Sequence, residues 1–194
     1  MNQTSYNGVT NFIKGLPVIG GFCKFWFIPI EEVESMPVIN PANQVLKTEI
    51  VLKAGKAWRG PVPVPDAQLG FTETLKTSNS GPYYEIKVGC AYAGDIPAAR
   101  VNIDNMGYSQ YMIVGQLRST GFFVVIGNNE VGADFTGNFD SGNTNSNGAL
   151  NTISFAIDQV NKALVLPSFN GNESGYVDFS GQTISNNNDY WELE

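Results

Sequence analysis

Apolar and polar positions alternate with a period of two along much of this chain, which is the spacing of strands with one buried face. Gln44 to Leu52 puts Val45, Lys47, Glu49 and Val51 on one face and Leu46, Thr48, Ile50 and Leu52 on the other. Thr152 to Val160 sets Ile153, Phe155, Ile157 and Gln159 opposite Thr152, Ser154, Ala156, Asp158 and Val160, and Ala133 to Asp140 precedes it as a companion strand. Gln68 to Lys76 and Tyr83 to Tyr92 alternate as well, and the intervening Thr77-Ser78-Asn79-Ser80-Gly81-Pro82 reads as a hairpin turn. Tyr111 to Leu117 and Phe122 to Ile126 flank a second such turn, Arg118-Ser119-Thr120-Gly121, and their nearly unbroken apolar runs predict central strands. Phe22 to Ile30 is a strongly apolar β-former interrupted at Pro29 and followed by the acidic turn Glu31-Glu32-Val33-Glu34.

Other stretches depart from that period. Asp95 to Asn105 predicts the one helix, with Asp95 as N-cap, Pro97 in the first turn, Ala98, Val101 and Asn105 or Met106 at helical spacing, and Gly107 as the stop. Gly60-Pro61-Val62-Pro63-Val64-Pro65-Asp66 alternates three prolines, which favours a stiff polyproline connector and excludes a central strand. Leu164 to Phe169 and Tyr176 to Phe179 fit either two short edge strands or an extended tail. From Gly127 to Asn151 the chain turns to Asn, Gly, Ser and Thr, residues that make turns and close backbone approaches rather than a core.

Composition narrows the class. At 194 residues the chain fits one hydrophobic core, and 42% apolar residues with 21 glycines and 10 prolines suit many short strands joined by turns. The fold expected is all-β and mostly antiparallel: a β-sandwich or barrel of about eight strands with one short helix and extended terminal arms. The boundaries drawn are 1–21 for an N-terminal arm, 22–168 for the β domain and 169–194 for a C-terminal extended tail.

Charge is distributed unevenly. Ten of the eleven Lys/Arg residues lie at or before Arg118, so residues 119–194 carry Lys162 alone against nine acids. A nucleic-acid grip needs clustered cations to displace counterions, so specific nucleic-acid binding is not expected. Cys23 and Cys90 both sit in apolar runs and read as reduced core thiols. No basic leader precedes an apolar stretch, and none approaches the about 20 residues of a membrane span, which predicts a cytosolic product without a membrane partner. The sequons at Asn2-Gln3-Thr4 and Asn172-Glu173-Ser174 are of the kind that an Asn-rich chain produces by chance.

Candidate chemistry is sparse. With no histidine, neither a Ser-His-Asp nor a Cys-His arrangement is possible, and the two cysteines are too far apart for a zinc ligand pair. Glycoside hydrolysis needs only two carboxyl groups about 5 to 9 Å apart, and Glu31, Glu32, Glu34, Asp134 and Asp140 are the candidates. Asn143-Thr144-Asn145-Ser146-Asn147-Gly148 has the spacing of a calcium loop, but neutral amides replace its acids and Ser154 falls where the bidentate Glu belongs. Trp26, Trp58, Tyr83, Tyr84 and Tyr92 are aromatics that fill a core or stack sugars. No catalytic, cofactor-binding or metal-binding residue is assigned, and no cofactor is expected.

Over roughly its second two thirds the chain resembles structural proteins from phages of gut Bacteroidales, including crAss-like phages. The resemblance is carried by Phe71-Thr72-Glu73-Thr74, Ser80-Gly81-Pro82-Tyr83-Tyr84-Glu85, the segment after Asp95, Tyr111 to Leu117, Phe139-Asp140-Ser141-Gly142 and Thr152-Ile153-Ser154-Phe155. It implies a tail or neck component whose β-barrel or sandwich carries one flanking helix, closes into rings and reaches adjacent subunits through its arms. The function expected is therefore a virion protein, non-enzymatic, ringed with copies of itself beside other tail, neck or portal proteins along the DNA passage. The alternative is a carbohydrate-binding sandwich using Trp58 or the Tyr83-Tyr84 pair, and a third reading is a small glycosidase.

Overall fold

The computed structural model describes residues 21–36, 39–40, 45–46, 50–63, 70–93, 97–140, 150–166, 169, 176–177 and 183–184. Its elements in chain order are β1 (Phe22–Pro29), a 3-10 turn (Ile30–Glu32), β2 (Val33–Ser35), β3 (Ile39–Asn40), β4 (Val45–Leu46), β5 (Val51–Leu52), β6 (Arg59–Pro63), β7 (Phe71–Ser78) and β8 (Gly81–Ala93). There follow α1 (Pro97–Met106), β9 (Gln110–Leu117), β10 (Phe123–Ile126), β11 (Ala133–Asp140), β12 (Leu150–Gln159), β13 (Leu164–Leu166), β14 (Tyr176–Val177) and β15 (Thr183–Ile184). The fold is all-β and mostly antiparallel, with one short helix, and eleven of these strands join one branched sheet.

The branch lies at β9. One of its edges pairs with β1 from Phe22↔Leu117 to Pro29↔Tyr111, while the other is shared, Ile113–Gln116 going to β10 and Gln110–Tyr111 to β11. Two layers diverge from that point. The first runs from β6 and β1 through β9, β10, β13 and β4 to β3, and the second runs β11–β12–β8–β7. They face each other across one core, in which Phe25, Phe27, Ile113, Val124 and Ile126 of the first layer meet Ile86, Val88, Cys90, Ile153, Phe155 and Ile157 of the second. Phe25 stands edge-on to Phe155 at 6.0 Å, and Phe22 stacks on Phe71 at 4.6 Å.

The first layer is buried on its reverse face too. There Trp26, Ile28, Met112, Val114, Val125, Leu164 and Leu166 pack with Trp58, Val33 and Leu46. A strand with a core on each side has no polar face to alternate with, which is why β9 and β10 read as unbroken apolar runs. The second layer has only one core, so β12 keeps the strict alternation of Ile153, Phe155 and Ile157 against Thr152, Ser154 and Asp158. Gly115 of β9 lies beneath the Phe22 ring, where a Cβ would overlap the ring carbons, so this central position accepts no side chain while Phe22 keeps its place.

Four expectations are corrected. Gln44 to Leu52 is not one strand, since Val45 pairs in parallel with Val165 of β13 whereas β5 pairs with β2 in a separate small sheet. Gly60 to Pro63 is not a free connector but part of β6, paired with β1 at Phe25↔Val62 and Lys24↔Pro63. Prolines fit there because β6 is an edge, where a missing N–H leaves no ladder bond unmade. Leu164–Leu166 is interior rather than an edge, held between β10 and β4. The strands outnumber the expected eight because seven of them are only two or three residues long and carry too little pattern to be read.

The Asp95 cap, the Asn143–Gly148 loop, residues 64–66 of the proline segment, residues 1–20 and most of the tail lie outside the described residues. Phe169, at the boundary drawn for that tail, sits among Trp26, Trp58 and Phe123, with ring centroids 5.0, 5.3 and 5.6 Å away. The β body therefore extends at least this far along the chain.

Candidate functional site

Among the described residues Glu31, Glu32 and Asp134 each accept from donors of their own. Glu32 accepts both Arg59 Nη1 and Nη2, at 3.0 and 3.1 Å, and Lys56 Nζ at 3.0 Å. Burial by itself would raise its pKa, but the Arg59 and Lys56 hydrogen bonds and charges outweigh burial and hold it below its ordinary value. At neutral pH it is an ionised clamp joining the 3-10 turn to β6. Glu31 accepts the Ser109 hydroxyl at 3.0 Å, and Glu34 is exposed on β2. Asp134 accepts Gln110 Nε2 at 3.0 Å. Asp140 ends the same strand six residues later, and at the rise of an extended chain that is roughly 20 Å, well beyond glycosidase spacing.

The aromatic candidates are mostly structural. Trp58 is 4% exposed and Trp26 5%, both within the second core, so neither offers a stacking face. Tyr83 and Tyr84 point to opposite faces of β8, as neighbours on a strand must: Tyr84 packs on the first core beneath Lys162, and Tyr83 lies on the outward face. They do not form one platform. The side chain of Tyr92 lies outside the described residues. Tyr111, in the core beside the Glu31–Ser109 contact, has its hydroxyl pushed up to about 12, first by burial, with Arg59 opposing and Glu31 adding.

Cys23 donates to Gln116 on β9, and Cys90 is buried, its thiol pushed up to about 12 by burial alone. A thiol of that kind is not a nucleophile near neutral pH. Ser154, tied by the calcium-like spacing to a ligand position, is in mid-strand opposite Gly89 and Thr136. Among the described residues no three His, Cys, Asp or Glu side chains cluster in a way that would hold a metal ion.

What the structure does leave open is a strand edge. β7 pairs with β8 in an unbroken register from Phe71↔Val88 to Ser78↔Gly81, and among the described residues nothing pairs with its other side. The Gly70 carbonyl accepts Gly89 N–H at 3.0 Å, so even-numbered residues face β8. Backbone groups alternate sides along an antiparallel strand. The N–H and C=O groups of Phe71, Glu73, Leu75 and Thr77 therefore all point away from β8. Every residue from Thr74 to Ser78 is exposed, and Leu75 is 57% exposed.

The other edges among the described residues differ, and that of β11 meets β9 only at Ala133 and Asp134. β6 carries Pro61 and Pro63, and β3 is two residues long. β7 is eight residues long and has no proline. Alternation in the sequence marks the β7–β8 hairpin but not its position at the end of the sheet, because edge status depends on long-range pairing that alternation does not encode.

No protein-family model, curated protein or solved structure matches this chain. The class defined by its own geometry is an all-β body whose main sheet, among the described residues, ends at the open edge of β7.

Proposed function

We propose that this chain is a structural protein of a bacteriophage virion, built into an oligomeric ring of the tail or portal-proximal neck that forms part of the DNA-passage conduit. Its partners are copies of itself and the adjacent tail, neck or portal proteins, and it makes and breaks no covalent bonds. The observation that carries the reading is the open edge of β7. Along its eight residues the outward backbone groups of Phe71, Glu73, Leu75 and Thr77 form a ready template for another chain, and soluble proteins ordinarily blunt such edges.

Two further features support it. Of the candidate acids, Glu31 is engaged with Ser109, and Glu32 with Arg59 and Lys56. The surplus of acids in residues 119–194 suits a conduit past which DNA slides without adhering. Negative-stain microscopy of the purified protein tests the proposal. Annular particles are expected, and a field of isolated small globules at all concentrations would refute it.

A further inference from the structure

The second layer ends in two long strands, one on each side. β7 forms one end, and β11 forms the other, since among the described residues β9 meets it only at Ala133 and Asp134. Thr74 to Ser78 of β7 and Thr136 to Phe139 of β11 are exposed. α1 reaches β11 at Gly137, where an added Cβ would meet the Ile103 side chain on the core-facing side.

The ladder fixes which backbone groups each strand presents. Even-numbered residues of β7 face β8, so even-numbered residues of β8 face β12. Carried through the unbroken β8–β12 and β12–β11 registers, this alternation turns even-numbered residues of β11 toward β12 and the N–H and C=O groups of Phe135 and Gly137 away from it. Phe71 and Phe135 both pack on the first core, so on either strand the outward-bonding residues carry their side chains on the same face of the layer. Three antiparallel steps separate β7 from β11, and the two therefore run in opposite directions. A copy related by rotation presents its β11 antiparallel to β7, with the pleats in phase.

Resting on the assembly reading above, we infer that β7 of one copy pairs antiparallel with β11 of the next, with Leu75 opposite Gly137 and Thr77 opposite Phe135. The register is set by where β9 takes over. Ser78, the last residue of β7, then stands opposite Asp134, the last residue of β11 that meets β9. Sliding by two residues would either put Thr77 opposite Ala133, a place β9 already holds, or leave the outward groups of Phe135 unbonded, and sliding by one would set core-facing side chains against outward-facing ones. Leu75, 57% exposed in the single copy, comes to lie over a glycine with no side chain to obstruct it. Lys76 falls diagonal to Asp134, and β11 carries no Lys or Arg, so like charges do not meet. Each copy offers β7 at one end of the layer and β11 at the other, so the contact is heterologous and propagates until rotation closes it. Main-chain bonds supply the affinity.

Disulfide trapping between two variants of the full chain tests this. Thr74→Cys and Asn138→Cys chains are mixed, refolded together, mildly oxidised and digested for disulfide mapping, while light scattering reports the mass of the same sample. In the inferred register positions 74 and 138 form a non-hydrogen-bonded pair with Cα atoms about 4.5 Å apart, within disulfide reach. Inside one chain three strand spacings, roughly 14 Å, separate β7 from β11, so such a bond joins two copies. A disulfide between positions 74 and 138 in the assembled fraction is the expected result. In the otherwise unaltered chain, Leu75→Pro removes an outward N–H, leaves the bonds to β8 intact and should abolish the assembled mass, while Leu75→Thr should keep it.

A bond between two copies of position 74, in place of the 74–138 bond, would mean two β7 strands pairing about a two-fold axis. An assembly in which position 74 bonds to neither would mean that the copies meet elsewhere. Either result overturns the inference and leaves the assembly reading standing. A single-chain mass at every concentration, with no 74–138 bond, would remove both. Because the disulfide is scored in chains that keep Leu75, the inference stays testable if Leu75→Pro does not fold.

Discussion

Gly115 is the position where one atom matters most. The Phe22 ring occupies the space of its missing side chain, and Phe22 is itself pinned against Phe71. Gly115→Ala should therefore displace a buried aromatic and lower stability by about 1–3 kcal/mol, the range for overpacking a filled core. A shift in the urea midpoint without a change in slope is the reading that checks it. Glu32 makes a second prediction, through pH. Its pKa in the folded state lies below the ordinary 4.5, so it contributes stability that is fully present above that value and is lost as pH falls through the folded pKa. Denaturation at stepped acidic pH should show this loss, and Glu32→Gln should flatten that part of the profile while lowering neutral-pH stability by about 1–3 kcal/mol. Cys90 makes a third prediction: with its thiol pushed up to about 12 and no access to solvent, it should resist thiol reagents until the protein is unfolded. Rapid labelling of Cys90 in the native state would contradict the burial described.

At the level of elements, the strands differ in how they are enclosed. β9 is paired on both edges and buried on both faces, whereas β7 is paired on one edge only. Amide exchange should be slowest at β9 and fast at Phe71, Glu73, Leu75 and Thr77 of the dispersed chain, then slow at those four residues on assembly. The long strands were legible in the sequence because each has enough residues to display its period, as Thr152 to Val160 does. The doubly buried β9 and β10 were legible for the opposite reason, their lack of any polar face. What could not be read was pairing. Nothing local in Gln44 to Leu52 records that its two ends belong to different sheets, and the prolines of β6 signal exclusion from a central strand without indicating which edge they occupy. The candidate site was the least legible part, because an open edge is defined by what is missing beside it. Trp58 was ambiguous for a similar reason: its burial comes from Phe169 and the reverse-face core, both distant in sequence.

For the whole molecule, the same sheet that closes its interior on two cores ends, among the described residues, at β7, a long strand paired on one side only. A fold with that asymmetry is suited to extension by another chain. Salt should affect such an assembly little, since main-chain hydrogen bonds rather than surface ion pairs would hold it. The most direct test is the mass of the full-length protein in solution, followed by light scattering across a wide concentration range. The account predicts a discrete multiple of the 21.0 kDa chain that persists on dilution. A mass of one chain at every concentration, with the β7 amides exchanging freely throughout, would contradict it.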